Sequence, residues 1–179
     1  PNAIITSLVW QRNKKYEDLI RQGHNLITAK QWEEAQDAFS KACNYKETAQ
    51  VLTLLAWTHS TLGRPDKAKA LCLQAIKKDP SYGPPYNDLG SYLLAEGQVE
   101  ESLKWFELAK RAPQYENREF PYINAGRAWM QKRQIKRALE EFSHALTLAP
   151  YHQELHQTVT RLKEAITKRK FIGNLKKIL

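Results

Sequence analysis

Two histidines near the C-terminus have a spacing that could hold a metal ion. His152 and His156 stand four residues apart, so they would share one face of a helix, with Glu154 between them. A zinc site needs further ligands, and none is identified elsewhere in the chain. Cys43 and Cys72 are the only cysteines, and a free cysteine is commonly a small buried side chain. We therefore expect no metal, no cofactor and no redox site.

Other patterns that carry chemistry are absent from the sequence. The seven glycines form neither a phosphate-binding GxxxxGK[ST] loop nor a dinucleotide-binding GxGxxG turn, and there is no CxxC pair. No nucleophile stands in a recognisable arrangement with a base. We therefore expect a protein that is not an enzyme. Its charge distribution and its repeats then say most about its fold and function.

The chain has 179 residues and a formal net charge of +9, and the excess charge sits at its two ends. Residues 1–15 hold three basic side chains and no acid, residues 161–179 hold seven basic and one acidic, and residues 16–160 hold 18 of each sign. A nucleic-acid-binding protein more often carries a basic stripe along its body, so we expect no nucleic-acid partner. The basic ends could bind acidic partners. They are also the only part of the chain that we expect to contact a membrane, through an anionic lipid surface.

Small and bulky residues recur in four columns whose copies are spaced 33, 34 and 36 residues apart. Helices cross closely only where side chains are small, and the last three columns share one helix face, so the pattern predicts four helix pairs. A single pair cannot bury its apolar face alone, so the pairs must stack. The columns are Gly23, Ala56, Gly90 and Gly126; Ala35, Ala68, Ser102 and Ala138; Phe39, Cys72, Phe106 and Phe142; and Ala42, Ala75, Ala109 and Ala145.

This pattern resembles the tetratricopeptide repeat family. The copy that begins at Tyr86 is closest, the second copy has Cys72 in place of the usual aromatic residue, and the first lacks the closing proline. The resemblance covers about residues 16–150. It implies an all-α fold, a right-handed superhelical solenoid of stacked antiparallel helix pairs, with a C-terminal capping helix.

The same frame divides the chain into an N-terminal extension, four repeats, a cap and a tail. The junction between the third and fourth repeats is longer than the others, and extra loop length is well tolerated. The alternative is that Tyr115 and Arg118 in this junction contact a partner at the rim of a groove. The units are a capping or linker helix at 1–15, repeats at 16–47, 48–82, 83–118 and 119–150, a capping helix at 151–170 and a basic amphipathic tail at 171–179.

The resemblance implies a concave groove, lined by the first helix of each pair, that binds a peptide or a partner helix. Trp57 and Arg127 are of the residue types that most often dominate binding energy, although Trp57 could instead pack between helices as core. Asn87 and Asn124 could hold a peptide backbone or bond within the protein. The expected groove residues are Ile20, His24, Thr53, Trp57, Asn87, Ser91, Leu94, Ile123, Arg127 and Met130.

Co-chaperone members of this family clamp a C-terminal carboxylate with cationic side chains at set groove positions. Neither of the two matching sets in this chain holds the two cations that a carboxylate needs, so we expect no binding of chaperone tails by this clamp. The matching residues are Ile20, His24, Leu54, Pro84 and Asp88 in the first three repeats, and Thr53, Trp57, Asp88, Phe120 and Asn124 in the last three.

Both ends of the chain carry apolar residues beside basic ones. Between Phe171 and Leu179 the tail has apolar residues at helical spacing. It could continue the cap, link to a following domain, dock in a neighbouring molecule to form a homo-oligomer, or lie on an anionic membrane. The segment from Ile4 to Trp10 could be an N-terminal cap, the tail of an earlier repeat or the end of a membrane anchor. In the preceding helix a stripe is expected to cover the last pair: Leu155, Val159, Leu162 and Ile166.

Taken together, these features favour a non-catalytic scaffold for protein–protein interaction, and we expect it to be cytoplasmic. The sequence does not begin with methionine, so we expect a fragment of a longer chain. Two alternatives stay open: the regulatory or substrate-recruiting arm of a larger enzyme or signalling protein, and a bacterial assembly factor of the pilus or secretion type.

Overall fold

The computed structural model describes the backbone of residues 2–178 and the side chains of residues 3–172. The described chain consists of nine α-helices and contains no β-strand. The helices are α1 (Asn2–Thr28), α2 (Trp32–Tyr45), α3 (Ala49–Thr61), α4 (Pro65–Lys78), α5 (Pro84–Ala95), α6 (Val99–Arg111), α7 (Glu119–Gln131), α8 (Ile135–Leu148) and α9 (Gln153–Ile178).

The first eight helices form four hairpins that stack in chain order. Each odd-numbered helix packs most closely on the even-numbered helix that follows it, and each hairpin contacts the next one through α2 and α3, α4 and α5, or α6 and α7. Helix α9 packs on α8, where Leu155, Val159 and Leu162 are buried in a cluster with Phe142. The predicted all-α solenoid of stacked antiparallel pairs, closed by a C-terminal helix, is confirmed.

Side chains at the helix starts explain several of the helix boundaries. Thr48 precedes α3, and its hydroxyl oxygen accepts a hydrogen bond from the backbone N–H of Val51 at 3.1 Å. Pro65 and Pro84 occupy the first positions of α4 and α5, where a missing N–H leaves no helical bond unmade. These signals mark where the second and third hairpins begin and where the second one turns.

The predicted small residues lie where the two helices of a hairpin cross. A Cβ atom added to Gly90 would lie 2.6 Å from Cε1 of Phe106, and one added to Gly126 would lie 2.7 Å from Cε1 of Phe142. Because each phenylalanine ring occupies the space of the missing side chain, a larger residue at either glycine would push the helices apart.

The helices at the two ends of the described chain are long. Helix α1 runs without a break from Asn2 to Thr28, across the predicted boundary between residues 15 and 16, and the division of the chain into segments stays a prediction. Helix α1 is unbroken because no proline interrupts this stretch. Helix α9 likewise passes through Gly173 to Ile178, although residues 173–179, including Leu175, lie outside the described side chains.

The N-terminal half of α1 extends beyond the hairpins, and its apolar side chains are exposed. No helix in the described part of the chain is both long enough and apolar enough to cross a bilayer. Arg12 ties this segment to the first hairpin, because its Nε donates a hydrogen bond to the carbonyl oxygen of Tyr45 at 2.6 Å. The exposed apolar residues are Ile4, Ile5, Leu8, Val9 and Trp10.

Candidate partner-binding surface

The first helices of successive hairpins lie side by side along one surface of the stack. Helix α3 contacts α5, and α5 contacts α7, in addition to the contacts each makes within its own hairpin. We call the surface formed by α1, α3, α5 and α7 the inner surface. All ten residues that the sequence predicted for the groove lie on these four helices, and their role in binding stays a prediction.

A hydrogen-bonded network joins α5 to α7 on the inner surface. The Asn124 side-chain amide donates to Oδ1 of Asn87 at 2.9 Å and to Oγ of Ser91 at 3.2 Å. Arg127 Nη1 donates in turn to Oδ1 of Asn124 at 3.0 Å. Asn87 is buried, whereas Arg127 is exposed and has further N–H groups for a partner. The network therefore fixes an exposed cation on a rigid base.

Two large apolar side chains on α3 and α7 are also exposed. Trp57 on α3 is 41% exposed, and Met130 at the end of α7 is 39% exposed. The Trp57 ring packs edge-on against Trp32, with ring centroids 5.6 Å apart. Trp57 therefore has features of both roles that the sequence suggested. One part of its ring packs within the protein, and another part is exposed and could contact a partner.

The other predicted residues occupy different depths. His24 is exposed, and its ring lies edge-on to Phe39 with centroids 5.8 Å apart. Ile20, Leu94 and Ile123 are buried in the apolar clusters that join neighbouring helices.

Thr53 on α3 is also buried. Its hydroxyl donates to the carbonyl oxygen of Ala49, one turn earlier in the same helix, at 2.7 Å. Like the buried apolar residues of the inner surface, it serves the packing of the helices. The set therefore divides into residues that hold the helices together and residues that can reach a partner.

A cleft of about 830 Å³ opens beside the inner surface, where the long loop between α6 and α7 folds back. The backbone N–H of Gly83 donates to the carbonyl oxygen of Gln114 at 2.9 Å, and the N–H of Gln114 donates to Ser81 at 3.0 Å. Tyr115 packs directly on Gly83, where an added Cβ would lie 2.7 Å from its ring. His24 and Leu54 line the opposite side of the cleft.

The loop uses Tyr115 and Arg118 within the protein. Arg118 Nη2 donates to the carbonyl oxygens of Pro113 at 2.9 Å and Ala112 at 3.2 Å, just after α6 ends. Sequence reasoning noticed the extra length of this junction but missed the cleft. The cleft depends on the contact between Gly83 and Tyr115, which are far apart in the chain.

Asp88 is the unusual charge on the inner surface. It is half-buried on α5, and no cation lies within ion-pair distance of it among the described side chains. Burial raises the pKa of Asp88 to about 7, although a hydrogen bond from Asn87 lowers it. Burial, and to a smaller degree the charge of Asp88, raises the pKa of Tyr82 to about 12. The Asp88 carboxyl therefore changes charge near neutral pH.

The residues first considered for chemistry have structural contacts. His152 Nδ1 accepts a hydrogen bond from the backbone N–H of Leu155 at 3.2 Å, and His156 Nε2 lies 2.6 Å from the carbonyl oxygen of Pro150. Within the described residues, no group of three or more His, Cys, Asp or Glu could hold a metal ion. Cys72 is buried, and burial raises the pKa of its thiol. These positions serve helix starts and packing.

A stack of helical hairpins defines the class of helical-repeat proteins. Two tetratricopeptide repeat models match the chain, at residues 49–82 and 71–104. The chain is also 30% identical over 94 residues to the small glutamine-rich tetratricopeptide repeat-containing protein 2 of Mycosarcoma maydis. That match covers 52% of this chain and 27% of the relative, so the chain spans about a quarter of the relative's length.

The two repeat models together cover residues 49–104, so this part of the chain carries the tetratricopeptide repeat pattern. The structure of PilF from Pseudomonas aeruginosa is similar with a TM-score of 0.80 and 20% identity, over 90% of this chain and 72% of that one. PilW, described as a widely conserved type IV pilus biogenesis factor, is similar with a TM-score of 0.74 and 18% identity, over 84% and 69% of the two chains. At these identities the likeness shows the fold.

Proposed function

We propose that this protein is a non-catalytic scaffold that binds a peptide or a partner helix on its inner surface. Proteins of this repeat family generally mediate protein–protein interaction rather than catalysis. The observation that carries the proposal is the hydrogen-bonded network of Asn87, Ser91, Asn124 and Arg127, which holds an exposed guanidinium on α7. Trp57 is exposed on α3 of the same surface.

The chemistry of these side chains suits a mixed polar and apolar partner segment. Tryptophan offers a large apolar area and loses little rotamer freedom on binding, especially where Trp32 already holds its ring. Arg127 offers charge-assisted hydrogen bonds to a carboxylate or a backbone carbonyl. The partner segment is therefore expected to combine an apolar anchor with an acceptor group.

Selection of random displayed peptides on the immobilised chain would test this proposal. A selected peptide should lose about a hundredfold in affinity for a Trp57→Ala, Arg127→Glu variant, because both anchors are removed. The matched control is Tyr151→Ala with Arg111→Glu, which removes an aromatic residue and an arginine that are exposed outside the inner surface. Equal loss in both variants, or no selectable peptide, would contradict the proposal.

Two further roles remain compatible with the same binding chemistry. The likeness to PilF and PilW motivates a second candidate, an assembly factor of the pilus or secretion type. The match to only 27% of the Mycosarcoma maydis relative motivates the other, the recruiting arm of a larger protein. Sequencing the gene on both sides of this segment would decide between an envelope-targeting signal and an adjoining catalytic domain.

We also keep the cytoplasm as the proposed location and a homo-oligomer through residues 171–179 as a proposed assembly. Fractionation of cells with an antibody to the chain tests the first, and an envelope fraction would contradict it. Light scattering of the full chain and of a 1–170 truncation tests the second, because a tail-mediated oligomer should lose mass on truncation. An unchanged subunit number would contradict it. Contact of either basic end with an anionic membrane is a separate proposal, and vesicle sedimentation checks it.

A further inference from the structure

Four cationic side chains converge on a second cleft, at the C-terminal end of the stack. This cleft has a volume of about 360 Å³ and lies between the turn joining α7 to α8 and the second half of α9. Half-buried Ile135 and Ile166 line it with the cations. It shares no lining residue with the cleft beside the inner surface. The cations are Arg133, Lys136, Arg169 and Lys170.

Within residues 3–172, no acidic side chain lies within ion-pair distance of these cations. Among the side chains that the structure describes, none of the four forms an ion pair, although Glu140 and Glu164 lie within a turn or two of them on α8 and α9. Elsewhere in the stack, two cations that face a neighbouring helix are paired with glutamates. Lys132, next to Arg133, lies 2.6 Å from Glu100, and Lys110 lies 2.8 Å from Glu141.

We propose that this cleft is a second docking site, which binds an acidic segment of a partner protein. Like charges held close together repel one another, and an anion in the cleft would relieve that repulsion. The guanidinium groups can bind a carboxylate through paired hydrogen bonds, and the two isoleucines can contact the methylene groups of a glutamate. Charge complementarity therefore selects an acidic peptide.

A lipid surface fits this cleft less well than an acidic peptide. The exposed apolar residues nearest to it, Phe171 and Ile172, do not line the cleft. A bilayer that received those side chains would lie against another face of α9, whereas binding at an anionic membrane combines apolar insertion and basic contacts on one face. The concave shape also admits single side chains more readily than a flat surface.

Nucleic acid is also a poorer match than an acidic peptide. Its phosphates are spread along a backbone and are usually met by a basic stripe, but the body of this chain at residues 16–160 carries 18 basic and 18 acidic side chains. A short acidic peptide needs only the local group of cations that the cleft provides.

Fluorescence anisotropy with a labelled hexaglutamate peptide tests the proposal on the full chain. The wild-type protein should bind the peptide at low salt, and Lys136→Glu with Arg169→Glu should weaken binding by about tenfold or more. The matched control, Lys67→Glu with Lys77→Glu, makes the same change in net charge on the exposed surface of α4 and should stay within about twofold.

A neutral variant, Lys136→Gln with Arg169→Gln, removes the two charges without reversing them, so it is less disruptive to folding. It should also weaken hexaglutamate binding. Circular dichroism checks that both variants remain helical. Equal weakening by the α4 control would overturn the proposal, as would the absence of hexaglutamate binding. Phosphatidylserine vesicles or oligothymidylate that respond to the cleft variants while hexaglutamate does not would overturn it in favour of a membrane or a nucleic acid.

Discussion

In the second hairpin, α3 meets α4 through Ala56 and Cys72, whereas in the fourth hairpin α7 meets α8 through Gly126 and Phe142. Ala56 and Cys72 are fully buried, and the Phe142 ring fills the space above Gly126. Two different pairs of residues thus fill the equivalent crossing. In the second hairpin the space is divided between the side chains of Ala56 and Cys72, whereas in the fourth hairpin the Phe142 ring occupies it alone. The comparison teaches that the crossing is filled in both hairpins although the residue types at both positions differ.

The turns inside the hairpins show the same independence of backbone and residue type. Residues 30, 63, 97 and 133 all adopt positive φ, and their spacing repeats that of the columns. Two of these residues are Gly63 and Gly97, with φ of 74° and 79°, but the other two are Lys30 and Arg133, with φ of 59° and 57°. The fold therefore imposes a left-handed turn even where the residue disfavours it.

The largest effect is expected from placing a ring in the second hairpin. Cys72→Phe would force a phenylalanine against the Ala56 methyl group in a fully buried site, and overpacking should lower the free energy of unfolding by about 3 kcal/mol. Adding Ala56→Gly recreates the arrangement of the fourth hairpin and should restore most of this loss. Urea denaturation of the single and double variants measures both, and a double variant no more stable than Cys72→Phe would contradict the account.

The converse substitution should break a glycine hairpin. Gly126→Ala places a Cβ within 2.7 to 2.9 Å of three Phe142 ring atoms, so crowding should outweigh the helical preference for alanine. We expect a net loss of about 2 kcal/mol in the free energy of unfolding. Gly90→Ala is the parallel test, because its Cβ would meet Phe106 in the same way. A stabilised Gly126→Ala variant would show that the ring yields easily.

Asp88 allows one position to be compared between hairpins. Leu54 and Asn124 occupy the corresponding positions in the second and fourth hairpins, and neither carries a charge. The Asp88 pKa of about 7 lies above the value near 4 of an unfolded chain, so the wild-type protein loses stability as pH rises between these values. Asp88→Asn should therefore stabilise the protein by on the order of 2 kcal/mol at pH 8 and hardly at all near pH 4. Denaturation curves at the two pH values check this, and a pH-independent difference would contradict it.

The smallest effects are expected at the turns. Lys30→Gly removes the strain of a left-handed lysine and should stabilise the protein by up to about 1 kcal/mol. Gly97→Ala should lower the stability of the protein by a similar amount, because the backbone at this position has a φ of 79°. An added Cβ would meet nothing within 4 Å, so this loss would come from the backbone conformation alone. Thermal unfolding of the two variants measures these shifts, and changes of the same sign would contradict a conformational cause.

The sequence predicted the hairpins well because the crossings leave a spacing signal that survives exchange of residue types, as at Ala56 and Cys72. It could not predict the left-handed conformation of Arg133 within the turn between α7 and α8, because a non-glycine residue gives no sign of it. The sequence also did not show which of the expected groove residues are buried between helices and which are exposed. Whether Leu94 faces a partner or packs on the next helix depends on how hairpins rotate against each other, which local spacing does not determine.

Photo-crosslinking tests the central claim, that partners bind where the first helices of the hairpins lie side by side. A display-selected peptide carrying a benzophenone group would be irradiated with the full chain, and the attachment sites would be mapped by mass spectrometry. We predict crosslinks to α3, α5 and α7, including Met130, the only methionine of the chain. Crosslinks confined to α4, α6 and α8 would contradict the account.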